Sequence, residues 1–151
     1  MDVDIVRHLQ QHHGISIGTV TANGIKHALG TALPTASGPC LDVKGRDIDS
    51  GFPRNVSVAQ VDVGASLQES VQLILDAIVA SMEHTPPDLA ADIAATGIVL
   101  AGGCAQLKDL DRAVSQATGL AVVVAEDPAS CTVRGASMAL QNQTLFRATA
   151  G

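Results

Sequence analysis

Apolar residues recur at three- and four-residue steps along much of this chain. Val63, Leu67, Val71, Ile74, Leu75, Ile78 and Met82 form the longest such stripe and predict a core-facing helix over 62–83. Its opposite face, with Gln68, Glu69, Gln72, Asp76 and Glu83, reads as solvated. Ile5, Val6 and Leu9 share a face of a helix from 2 to about 13, which Gly14 ends. Ala22, Ile25, Ala28 and Leu29 mark a second helix from Thr19, read as its cap, to Leu29, closed by Gly30. "TALPTASGP", residues 31 to 39, is turn-rich and reads as a loop. Alternation then replaces helical spacing, and the breakers Gly45 and "SGFP" divide it into short antiparallel strands at about 40–44, 46–49 and 54–59.

The second half alternates helix and strand. Thr85 is a cap candidate, Pro86 and Pro87 start a short helix, and Gly97 ends it. "IVLA" and "LAVVVA" have the length and β-branched content of strands buried on both faces. Between them Leu107, Leu110, Val114 and Ala117 mark a helix ended by Gly119. Asp127 and Pro128 are read as capping and starting a last helix, to about Gln143. Residues 1 to about 60 thus form helices and β-hairpins, and residues 61 to 143 an α/β unit with a partly parallel sheet.

Composition narrows this picture. The 151 residues include two Phe and no Trp or Tyr, so the core is aliphatic and base-stacking nucleic-acid readers are disfavoured. A net charge of −6 without any basic run disfavours a phosphate-backbone partner as well. Cys40, Cys104 and Cys131 are widely spaced, which suggests a reduced, cytosolic setting. No apolar run approaches the roughly 20 residues of a membrane span. The acidic, amphipathic start is not a signal peptide.

Candidate chemistry centres on "GIVLAGGCAQL", residues 97 to 107. A strand running into Gly102-Gly103 and then a helix is where an open α/β sheet admits a ligand against bare backbone. Neither GxxxxGK[ST] nor GxGxxG occurs, so on its pattern alone the pair reads as a plain turn ahead of a ligand contact. His8 and His12 lie four apart on one helix, but the zincin pattern is missing and they read as a solvated face. Cys131 reads as core packing, since no His or Asn partner is evident for a reactive thiol. Arg134 reads as a surface residue or a contact with another protein chain.

"GIVLAGGCAQLKDLDRAV" resembles the adenosine motif of the actin superfamily, in the form GIVLTGGGALLRGLDRLL of the bacterial MreB family. "VKGRDIDSGFPRNVSV" is similar to that family's VRGRDLVTGLPRTVTV, and "HTPPDLAADIAATGIVL" to RTPPELAADIxDRGIVL. "MDVDIVRHLQQHHGISIGTVTANGIKHALGTA" and "TGLAVVVAEDPASCTVRGASMAL" resemble further family segments, so the likeness runs in order to about Leu140.

The resemblance implies an α/β, actin-like (ribonuclease-H-like) C-terminal lobe, a mixed sheet with helical cover plus a small α+β subdomain. Residues 1–60 would be subdomain IIB (1–7 leading in from IIA), and 61–151 subdomain IIA. It implies an adenosine site between Asn23, Lys26 and His27 on one side and Gly102, Gly103, Cys104, Gln106 and Leu107 on the other. Asn23 stands where the family has glutamate, and Cys104 where it has a third glycine. The cofactor implied is ATP with Mg. The family's phosphate loops and catalytic groups match nothing here and lie upstream of Met1, so the chain resembles a truncated half of the molecule. No catalytic residue and no metal ligand is assigned, and no ATP hydrolysis is expected of this chain alone. The implied role is cytoplasmic: a cytoskeletal filament protein of rod-shape maintenance, self-associating or joining full-length MreB. RodZ would bind through IIA, and contact with the membrane would run through partners rather than direct insertion. Other readings of the same motif are half of an actin-superfamily small-molecule kinase, or a non-functional gene remnant.

Overall fold

The computed structural model describes residues 1–34 and 37–142. Helix α1 spans Asp2–His13 and α2 spans Thr19–Leu29. Asp2 and Asp4 in the first turn of α1, and His12 and His13 in its last, suit the helix dipole. Gly14 ends α1 in the left-handed conformation, at φ 65°. The short strand β1, Ile15–Ser16, joins the two helices, and the sequence pattern is too brief to reveal it. Thr19 is not the cap of α2: Gly18 holds that position, and no side chain bonds the first turn.

Strands β2, Cys40–Asp47, and β3, Pro53–Ala59, form one continuous antiparallel hairpin instead of three short pieces. Gly45 does not break β2. It pairs with Arg54, and a side chain there would crowd Ile15, Ser16 and Ile17 of the neighbouring segment. The glycine therefore admits β1, which adds antiparallel to the end of β2. Asp47 fastens the hairpin turn, accepting from the Ser50 amide at 2.8 Å, the Ser50 hydroxyl at 2.9 Å and Arg54 at 2.9 Å. Those bonds hold its carboxyl down at about 2, the Ser50 amide contributing most. In the loop assigned to 31–39 the described residues form no helix or extended strand, only a parallel bridge from Thr31 to Lys108; residues 35 and 36 lie outside the described residues.

Helix α3, Gln60–Glu83, is the spine. Its first turn is held by Asp62, whose Oδ2 accepts from the Ala59 amide at 3.3 Å. Its 24 residues and mean hydropathy meet the length and composition of a membrane span, contrary to the sequence reading. Yet Val63, Leu67 and Val71 sit in the core, and Asp62, Glu69 and Asp76 interrupt the surface, as in a central helix of a packed lobe. Ile74, Leu75, Ile78 and Met82 are only half-buried, so the predicted core stripe holds fully over its first half alone.

Helix α4, Pro87–Thr96, follows. Thr85 does not cap it; its hydroxyl donates back to Ser81 of α3 at 2.8 Å. Strands β4, Ile98–Leu100, and β5, Val122–Val124, pair in parallel. Between them lie a short 3-10 turn, Gly103–Gln106, and helix α5, Leu110–Thr118, ended by Gly119. The two strands are not buried on both faces: Val99 is 63 % exposed and Val123 57 %. Among the described residues helices cover only one side of this pair, against which Leu110, Ala113 and Val114 of α5 join the core. Helix α6, Cys131–Gln141, begins three residues later than expected, because Asp127 and Pro128 form a turn closed onto Ser130 and Cys131. The predicted end at Gln143 lies outside the described residues.

One aliphatic core ties the two halves together. Ile5 and Leu9 of α1, Ile25 and Leu29 of α2, Val43 and Val58 of the hairpin, and Val63 and Leu67 of α3 all belong to it. At about 1.5–3 kcal/mol per buried aliphatic side chain, this cluster is the main force holding the helices to the sheets.

Candidate functional site

At the carboxyl end of β4 the chain must turn without a side chain. Gly102 takes φ 87° and ψ 171°, a region that only glycine adopts readily. Its amide donates to the Pro128 carbonyl at 2.6 Å, which ties the turn to the segment after β5. The 3-10 turn then carries Gly103, Cys104 and Gln106 forward, and Leu107 leaves it in extended conformation.

Facing this turn is the last part of α2. Lys26, His27, Ala28 and Gly30 form one wall of an open cleft of about 380 Å³; Gly103, Cys104, Gln106 and Leu107 form the other. Met1 and Lys108 complete the rim. The spacing of the walls is set by bonds at their base. The Ala32 amide donates to the Lys108 carbonyl at 2.8 Å, and the buried Thr31 hydroxyl donates to Asp109 Oδ2 at 3.2 Å. Gly30 is required there by close approach: a Cβ would lie 2.3 Å from the Lys26 carbonyl oxygen and 3.1 Å from Leu107 Cδ1.

Six of the eight residues expected at the adenosine site line this cleft: Lys26, His27, Gly103, Cys104, Gln106 and Leu107. Asn23 and Gly102 do not. Asn23 is exposed one turn before Lys26 on α2, and Gly102 shapes the turn from behind. His27 is exposed and borders the cleft. The Lys26 ammonium donates to Asp2 Oδ1 of α1 at 2.7 Å, so α1 fixes where this cation sits. The role of Asp2, of Thr31 with Asp109, and of Gly30 as a spacer carries no local motif; each depends on segments distant in sequence.

Chemically the cleft pairs apolar surface, from Leu107 and Ala28, with a cation and with amide and imidazole groups at its edges. That suits a flat heterocycle carrying polar substituents.

Two other readings change. Cys131 is half-buried and not a core residue; its thiol donates to the Pro128 carbonyl at 3.2 Å. His8 does not lie on a solvated face: it is half-buried and its ring lies 4.3 Å from that of His12. Partial burial, then the adjoining His12, push the His8 imidazole below its ordinary range. Arg134 is exposed on α6.

The architecture is that of an actin-like lobe with a cleft at the end of a parallel strand. MreB5 of Spiroplasma citri bound to ADP is similar, with a TM-score of 0.89 and 27% identity, over 99% of this chain and 45% of that one. The MamK double helical filament shares the fold, with a TM-score of 0.68 at 19% identity over 85% of this chain and 39% of that one. The profile of the family described as MreB/Mbl protein matches residues 1–148, and the chain belongs to that family. Relatives include the cell shape-determining protein MreB of Escherichia coli K12, 39% identical over 93% of this chain, and Mbl of Bacillus subtilis 168, 36% identical over 93%. The chain spans 40% and 42% of those two proteins.

Proposed function

We propose that this chain supplies the adenosine-binding side of an MreB-type cytoskeletal protein of cell-shape maintenance, with residues 1–60 as subdomain IIB and 61–151 as IIA. The observation that carries the reading is the cleft between the end of α2 and the Gly103–Leu107 turn. The adenine ring lies on Leu107 and the glycine turn, and Lys26 and Gln106 meet the polar part of the nucleoside. The relative bound to ADP supports this choice of ligand. Phosphates and their Mg belong to groups that match nothing in this chain, so it does not hydrolyse ATP alone. A phosphate-release rate that disappears on Lys26→Ala would contradict that.

Calorimetric titration with ADP tests the site. Gly103 faces open space, so Gly103→Leu keeps the fold and fills the cleft. Binding to the unaltered chain, reduced about tenfold or more in that variant, is expected. ADP affinity indifferent to both Gly103→Leu and Lys26→Ala would sink the assignment.

The same reading makes the chain cytoplasmic and lets it join filaments, with RodZ as a partner of the 61–151 unit and the membrane reached through partners. A lobe with one end of the longitudinal contact caps a growing filament. Mixing it with full-length MreB lowers sedimentable polymer; unchanged polymer mass counts against the capping role.

A further inference from the structure

The three groups gathered where α1 ends and α3 begins are two imidazoles and a carboxylate. The ligand atoms of His8, His13 and Asp62 all lie within 4.8 Å of one another, and all three residues are half-buried. His13 Nε2 is 3.6 Å from Asp62 Oδ2. These positions are well anchored. Ile5 and Leu9 fix α1 in the core, Gly14 fixes its end, and the Ala59 amide holds the Asp62 carboxylate. We propose that His8, His13 and Asp62 form a binding site for a divalent first-row transition cation, zinc in the first instance.

The donor set selects the class of ion. Neutral imidazole with one carboxylate suits zinc and its neighbours, whereas magnesium and calcium require about six oxygens. Zinc bonds of about 2.0–2.2 Å place donors roughly 3.3 Å apart, so the three ligand atoms close by at most about 1.5 Å, a movement that side-chain rotation supplies. The fourth tetrahedral position is left to water. His12 stacks beside His8 without completing the set. The site is separate from the nucleotide cleft: α1 offers Asp2 to Lys26 at one end and His13 to the cation at the other. A bound ion would staple α1 to α3 and stabilise the folded chain by mass action.

The test is zinc titration of the full chain, with cobalt absorption as a second readout. One-to-one binding, a raised thermal midpoint reversed by chelator, and four-coordinate cobalt bands without a thiolate charge-transfer band are expected. His13→Gln and Asp62→Asn each weaken binding by about tenfold or more. The Asn keeps an acceptor for the Ala59 amide, and the cobalt spectrum reads the site independently of stability. His12→Gln, His84→Gln and the double change Cys40→Ser, Cys104→Ser leave affinity unaltered. Absence of binding overturns the proposal. So does binding that needs His12 but not Asp62 or His13, or that disappears with the cysteines.

Discussion

Gly24 within α2 and Gly30, the residue that closes it, should respond to alanine with opposite signs. Gly24 lies in the helix with nothing within 4 Å of an added Cβ. Gly24→Ala therefore stabilises by about 0.5–1 kcal/mol, by restricting the unfolded chain and favouring helix. At Gly30 the added Cβ meets the Lys26 carbonyl oxygen at 2.3 Å and Leu107 at 3.1 Å. The first contact is with backbone, so the turn itself must move. Overpacking of this kind costs about 1–3 kcal/mol, and straining the 2.8 Å bond from the Gly30 amide to the Lys26 carbonyl adds about 1 kcal/mol. The unfolded-state gain offsets about 0.5–1 kcal/mol of this, leaving Gly30→Ala destabilised by roughly 1–3 kcal/mol. The chain has no Trp or Tyr, so urea unfolding followed by helical circular dichroism is the assay. With urea slopes of about 1–3 kcal/mol/M, the two variants should be separated by roughly 0.5 M or more in midpoint. Equal midpoints, or shifts in the same direction, would refute the argument that the close approach of the Lys26 carbonyl and Leu107 requires glycine at position 30.

Leu67→Ala, at a fully buried position of α3, should cost about 2–5 kcal/mol in urea unfolding, while Leu73→Ala at an exposed position of the same helix stays within about 0.5 kcal/mol. Thr31→Val keeps the shape but strips Asp109 Oδ2 of its donor; a loss of about 1–3 kcal/mol is expected, and a neutral result would show that the bond does not hold the cleft base. Asp47 has a folded-state pKa of about 2 against an ordinary 3.8, so its contribution is complete above 3.8 and is lost as pH falls toward 2. Asp47→Asn should remove that part of the acid dependence, and an NMR titration of Asp47 with an ordinary midpoint would contradict the bonds drawn at the hairpin turn.

The exposed valines of β4 and β5 show where sequence patterning reaches its limit. "IVL" and "VVV" read as strands buried on both faces, and as strands they form. Burial is a property of neighbours, however, and Val99 and Val123 face away from α5 with nothing over them among the described residues. The apolar content records a surface that needs cover; it does not say what supplies that cover. The same holds for α6, where Val133, Met138 and Leu140 are all exposed.

Helices α1, α2 and α3 were legible because a 3.6-residue period acts over many positions, and the ends of α1, α2 and α5 because Gly14, Gly30 and Gly119 stop them locally. The caps were not: Thr19 and Thr85 have the right side chains, yet one lies inside its helix and the other bonds the preceding one. The continuity of β2 through Gly45 was hidden too, since it depends on how closely β1 approaches. For the site, family likeness already joined Lys26 to the Gly102–Leu107 segment, and the fold sets those walls against each other. Only tertiary structure added Gly30 as the spacer, Asp2 as the partner of Lys26, and Thr31 with Asp109 as the base. It also moved Asn23 and Gly102 off the wall, and replaced His8 with His12 by the cluster of His8, His13 and Asp62. Local periodicity and glycine placement determine elements, because those forces act within a few residues. Contacts such as Thr31 with Asp109, 78 positions apart, are decided only when the shared core brings the segments together.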